Sequence, residues 1–149
     1  PARSDGRIRE EILEARERGV IFDIGHGVGS FGFETAETML NAGFLPDAIS
    51  SDVHSLSIKG PAYDQLVTLS KFLHLGMSIT DIIGASTTGP ARAIRRPDLG
   101  TLSPGSIGDA TILSIEKGDF IFTDSLGHTR SGEKKFTLKG IVLDGEMWG

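Results

Sequence analysis

Twice in its first fifty residues the chain runs from an amphipathic helix through a glycine into a short apolar strand, and each strand ends in a loop of small residues carrying His or Asp. The first helix is expected over residues 7–18. Ile8, Ile12 and Ala15 recur at helical spacing, Leu13 widens the stripe, and alternating Glu and Arg make the other face a solvated one. Gly19 closes it as a C-cap, and Val20-Ile21-Phe22-Asp23-Ile24 follows almost without alternation, as in a strand covered on both faces. The second helix is expected over 31–42, with Phe33, Ala36, Met39 and Leu40 inward and Gly43 as terminator. Phe44-Leu45-Pro46 then leads into a brief strand over 47–50 that carries Ala48 and Ile49 into a core. Repetition of strand, polar loop and helix favours a parallel sheet or barrel, an α/β fold whose ligands sit beyond the carboxyl ends of the strands.

The next segments are helical. Residues 61–75 are expected to form a long helix with Pro61 in its first turn and a broad buried face of Tyr63, Leu66, Val67, Leu69, Phe72 and Leu73, closed by Gly76. Ser78-Ile79-Thr80-Asp81 has capping-box spacing, so 81–86 and then 88–95 are expected as short helices. His74, in a last helical turn, suits the helix dipole and is assigned no chemistry. After Arg95-Arg96-Pro97 the pattern changes. A turn-rich connector over 99–108 precedes β patterns at 110–115, 119–123 and 136–143, with turns at Glu116-Lys117-Gly118 and Asp144-Gly145. The chain is thus divided at 97/98 into a helix-strand part and an antiparallel tail, and His128, in the charged loop 125–135, is expected to be exposed.

The chemistry is expected at the strand ends. In Ser50-Ser51-Asp52-Val53-His54, Asp52 and His54 stand two apart, so in extended backbone they share a side and are candidate partners at one site. Asp after a strand is also a common turn residue, and a lone His is often a packing or surface residue. In Gly25-His26-Gly27-Val28-Gly29-Ser30 the alternate glycines resemble a phosphate-binding turn, but the pattern is not GxGxxG and no P-loop lysine accompanies it. Glycines there let backbone approach a ligand while the imidazole of His26 projects into the crevice; a turn with an exposed His fits equally well. With no cysteine, any metal must be held by His and carboxylate. A net charge of −5 with thinly spread Lys and Arg offers no stripe for nucleic acid. No apolar run is long enough to span a bilayer and the first residues lack a signal-peptide core, which gives a cytoplasmic expectation. The start at Pro1, without Met, leads to the expectation of a piece of something longer.

Three motifs in register carry a family resemblance: Phe22-Asp23-Ile24-Gly25-His26-Gly27; Ser50-Ser51-Asp52-Val53-His54; and Leu99-Gly100-x-Leu102-x-Pro104-Gly105-x-Ile107-Gly108-Asp109-Ala110, which opens the tail that closes with Ile141-Val142-Leu143-Asp144-Gly145. Together they resemble the carboxy-terminal part of amidohydrolase-superfamily metal hydrolases, in the deacetylase and dihydroorotase-like branch. The resemblance implies a distorted TIM (β/α)8 barrel whose last two strand-helix units lie in 1–97, and a small β-sandwich segment in 98–149. It implies that Asp52 is the aspartate of the eighth strand, a metal ligand that also takes a proton from the attacking water. It places His26 and Gly27 after the seventh strand, among substrate-contacting groups, and His54 beside the metal aspartate.

The resemblance further implies one or two zinc ions, a small-molecule substrate such as an N-acyl amino acid, the amino-terminal part of the barrel as a partner, and a homo-oligomer. The departure is that the family's His-x-His and its other ligand positions have no counterpart here, where the four histidines are His26, His54, His74 and His128. Two functions are therefore expected in competition: the carboxy-terminal segment of a zinc-dependent amidohydrolase, inactive alone, or a non-catalytic interaction or oligomerisation module derived from that fold.

Overall fold

A computed structural model describes residues 1–3 and 5–148. The elements are α1 (Glu10–Glu17), β1 (Asp23–Gly25), α2 (Phe33–Asn41), β2 (Ala48–Ser50), α3 (Gln65–His74), α4 (Ile79–Ser86), α5 (Thr88–Ala93), β3 (Ala110–Thr123), β4 (Thr129–Leu143) and β5 (Glu146–Trp148). β1 and β2 pair in parallel, Asp23 opposite Ala48 and Gly25 opposite Ser50, with α2 as the crossover. β3, β4 and β5 form a separate antiparallel sheet in that order. The fold is α/β, with the helix-strand units first and the antiparallel tail last.

Several boundaries differ from expectation for identifiable reasons. α1 starts at Glu10 because Ile8 is drawn into an antiparallel bridge with Ala2. β1 starts at Asp23, and Val20 and Ile21 are 47% and 50% exposed. The double coverage expected of this run is therefore absent among the described residues, where β1 has β2 as its one neighbour. α3 starts at Gln65, because the carboxylate of Asp64 accepts the Val67 N–H at 2.8 Å and sets the N-cap there. Pro61 and Tyr63 thus fall in the preceding turn, and the Tyr63 ring lies outside the buried face. The capping box is present: Ser78 Oγ accepts from the Asp81 N–H at 3.1 Å and donates to its carboxylate at 2.6 Å, starting α4 at Ile79.

In the tail, the expected turn at Glu116-Lys117-Gly118 is a register shift within one continuous strand, β3, which carries on through Phe120 to Thr123. The expected loop 125–135 is mostly strand: the chain turns between Asp124 and His128 and enters β4 at Thr129. The turn at Asp144-Gly145 is present, both residues having positive φ (50° and 81°), the signature of a tight turn matched to strand twist.

One core joins the two parts. Phe31, Phe33, Ile49, Leu69, Phe72, Met77, Ile82 and Ala85 pack with Phe122 and Phe136 of the tail. Phe31 meets Phe33 and Phe72 edge to face at centroid distances of 5.4 and 5.5 Å. Each such ring contributes about 1.5–3 kcal/mol by burial. The division at 97/98 therefore separates kinds of secondary structure while the core runs across it.

Candidate active site

The parallel pairing of β1 and β2 brings their carboxyl ends side by side, so the loops leaving Gly25 and Ser50 are neighbours. Gly27 N–H donates to the Ser51 carbonyl at 3.1 Å, extending the contact past the strands. The alternate glycines follow from this closeness. A methyl group at Gly25 would come 3.1 Å from Asp52 Cβ, and one at Gly27 would collide with Asp52 Oδ2. Gly27 also has φ of 49°, which only glycine adopts without strain. Glycine at 25 and 27 makes room for the aspartate, an arrangement unrelated to a phosphate cradle.

Asp52 is exposed and lies in the left-handed region at φ 47°, a conformation that Asp tolerates better than most residues. This positive φ breaks the alternation from which Asp52 and His54 were expected to face the same side. His54 is instead folded into its own turn: its Nδ1 accepts the Leu56 N–H at 3.3 Å, and its N–H donates to Ser57 Oγ at 2.9 Å. The imidazole of His54 is exposed, and no hydrogen bond joins it to Asp52 among the described residues.

His26 also differs from expectation. It is fully buried, so its imidazole does not project into an open crevice. The ring stacks on Phe31 at 4.8 Å and 20°, its Nδ1 lies 3.0 Å from the Gly27 carbonyl, and its Nε2 lies 2.6 Å from Lys71 Nζ. Burial, and then the Lys71 charge, hold its pKa below the ordinary histidine value. Lys71 is fully buried as well and donates to the Pro61 and Thr123 carbonyls at 2.8 and 2.6 Å. Burial lowers its pKa from 10.5 to about 8.

Sequence reasoning passed over Lys71, and it passed over Asp124. The Asp124 carboxylate accepts the N–H groups of Phe33, Leu126 and His128, stitching the β3–β4 turn to the start of α2. Ser125 reinforces the seam by exchanging hydrogen bonds with the Phe31 backbone. His74 packs between Phe33 and Phe122, and His128, exposed as expected, reaches the Asp124 carboxylate at 3.3 Å.

A catalytic divalent ion takes about three protein ligands plus water. The described residues contain no group of three or more His, Cys, Asp or Glu that could hold one. Asp52 can offer one oxygen ligand, so the donor set in these residues does not fit a complete metal centre. A groove of about 450 Å³ between α3, α4 and the tail, lined by Leu66, Leu69, Ile83, Leu102 and Val142, lies apart from Asp52 and His26. No helix among the described residues is long and apolar enough to cross a membrane.

Comparison with known proteins places the chain beside hydrolases of one family. The amidohydrolase family model matches residues 12–148. The chain is 34% identical over 143 residues to a deacetylase of Enterococcus faecalis, covering 95% of this chain and 39% of that protein. The crystal structure of an adenine deaminase superposes with a TM-score of 0.91 at 34% identity, over 95% of this chain and 39% of the other. That of a dihydroorotase superposes with a TM-score of 0.80 at 32% identity, over 93% and 37%. The chain thus spans about two fifths of the length of these relatives.

Proposed function

The chain belongs to the amidohydrolase family, and from that footing we propose that it forms the carboxy-terminal part of a zinc-dependent hydrolase cleaving an amide or ester bond, such as that of an N-acyl amino acid. In this reading β1 and β2 are the last two strands of a distorted (β/α)8 barrel, and β3 to β5 belong to a small β-sandwich. The observation that supports it is Asp52: an exposed carboxylate just past the end of a parallel strand, set against a glycine that leaves it room.

One or two zinc ions, held mainly by residues outside these 149, would supply a polarised carbonyl and a water of lowered pKa. Asp52 then accepts the proton of the attacking water and delivers it to the departing nitrogen or oxygen, a task for a base of modest strength. Gly27 and His54, on the two loops beside Asp52, contact the small-molecule substrate. His26, being buried, acts on substrate through the shape of its loop. The active enzyme requires the amino-terminal part of the barrel and is a cytoplasmic homo-oligomer.

Asp52→Asn in the full-length enzyme tests the reading. Turnover is expected to fall by about 10²–10⁴-fold while circular dichroism and the unfolding midpoint stay near those of the parent. A variant keeping most of its rate would remove Asp52 from the proton path and return the chain to the alternative, a non-catalytic module of the same fold.

A further inference from the structure

The two strand-end loops and the tail converge on one nitrogen. Lys71, in the last turn of α3, holds the first loop through His26 Nε2 at 2.6 Å. It holds the second, the segment leading from Asp52 into α3, through the Pro61 carbonyl at 2.8 Å. It holds the end of β3 through the Thr123 carbonyl at 2.6 Å. Nothing in the mechanism above uses this group, yet a fully buried lysine whose hydrogen-bond partners among the described residues include no carboxylate is costly to keep. The Asp124 carboxylate favours the charged form of Lys71 without being one of its hydrogen-bond partners.

Donor and acceptor counting fixes the protons. The Pro61 and Thr123 carbonyls only accept, so two hydrogens of Nζ point at them. The Gly27 carbonyl, 3.0 Å from His26 Nδ1, also only accepts, so Nδ1 carries a hydrogen. The remaining contact, between Nζ and Nε2, holds one proton between two nitrogen bases. Whichever nitrogen it sits on, the pair carries a single positive charge and Nδ1–H is directed at Gly27.

We propose that Lys71 is a positioning residue for the Asp52 site: by engaging Nε2 it commits His26 to donating from Nδ1, and this fixes the Gly27 peptide that walls the Asp52 carboxylate. The role rests on the reading of Asp52 given above. Its structural content does not. The same nitrogen sets the spacing of the two loops, so a change at Lys71 moves Gly27 and the Asp52 segment relative to each other, though Lys71 touches neither Asp52 nor the crevice.

The test uses the full-length protein labelled with ¹⁵N-histidine. In the parent, His26 is expected to show a protonated, pyrrole-like Nδ1. An unprotonated Nδ1 overturns the proposal outright and requires no variant. In Lys71→Met, an unbranched side chain one atom shorter that donates nothing, His26 is expected to lose its preference for the Nδ1–H form. In the same variant kcat is expected to fall about 10- to 100-fold with KM and metal content changed far less. Unchanged His26 signals, or unchanged kcat, overturn the positioning role. If Lys71→Met does not fold, Lys71→Gln, which can still donate to two of the three acceptors, is expected to recover part of kcat; recovery of none overturns it. If Asp52→Asn retains its rate while the His26 signals are as described, the proposed function fails and the proton arrangement stands.

Discussion

Asp124→Asn probes the seam between the tail and the His26 loop by changing one atom. The carboxylate is fully buried and accepts from Phe33 N–H through Oδ2 at 3.1 Å and from Leu126 and His128 N–H through Oδ1 at 2.9 Å each. Gly32, the N-cap of α2, has no side chain to offer the first turn, so Asp124 caps the helix from 91 residues away and sets a negative charge at the positive end of its dipole. Asparagine keeps an oxygen for Leu126 and His128 but turns an NH₂ toward the Phe33 N–H, opposing donor to donor. Losing one charge-assisted bond and leaving a buried N–H unpaired costs about 2–4 kcal/mol, after allowing for the easier burial of a neutral amide. With a urea m-value of about 2 kcal/mol/M, the midpoint at pH 7 is expected to fall by about 1–2 M with m unchanged.

The pH dependence supplies an independent check on the same group. Burial alone would raise the Asp124 pKa; the hydrogen bonds from Phe33, His128 and Leu126 and the nearby His128 charge outweigh it and hold it below the usual 3.8. A depressed folded-state pKa means stability that is present above 3.8 and is lost as pH falls through the lower folded value. The gap between parent and variant is therefore expected to be full at neutral pH and to shrink in acid below about pH 4. A destabilisation under about 0.5 kcal/mol at pH 7, or a gap that widens in acid, would refute the capping argument.

Two further substitutions test local geometry. Gly27→Ala places a methyl against Asp52 Oδ2 at a φ of 49°. It is expected to cost about 1–2 kcal/mol in strain and to lower kcat of the full-length enzyme more than 10-fold, on the order expected of a displaced catalytic group; kinetics equal to the parent's would show that the loop has slack. Ser78→Ala removes the Oγ that accepts the Asp81 N–H and is expected to cost about 1 kcal/mol, a fall of about 2–4 °C in Tm; no shift would mean that solvent caps α4 equally well.

The parts of the fold legible in the sequence are those written in neighbouring residues. The helix, glycine and apolar-run units at 19–24 and 43–50 announce the parallel pair, Ser78 and Asp81 announce a helix start, and Asp144-Gly145 announces a turn. Composition misleads where two local structures want the same residues. Glu116-Lys117-Gly118 suits a turn and equally suits an irregularity in a long hairpin, and only pairing with Lys134 and Lys135 on β4 decides for the latter. The alternate glycines at 25 and 27 suit a phosphate, an open crevice or a close neighbour, and the neighbour is Asp52, which stands far along the chain and leaves no periodic trace.

Lys71 shows the same limit from the other side, because a signal for it was there to be weighed. Thr68, Leu69, Ser70, Lys71 and Phe72 are all buried, so this stretch of α3 has no solvated face on which to place a charge. An apolar stripe as wide as Leu66, Val67, Leu69, Phe72 and Leu73 already implies that a lysine between Ser70 and Phe72 must end among polar partners inside the protein. What the pattern cannot state is which partners. They are a histidine 45 positions earlier, a carbonyl 10 earlier and a carbonyl 52 later, brought together by the closure of the core over α3. Burial is thus foreseeable from local periodicity, whereas the hydrogen bonds that make it tolerable are a property of the assembled fold, and at this site those bonds hold the loops that frame Asp52.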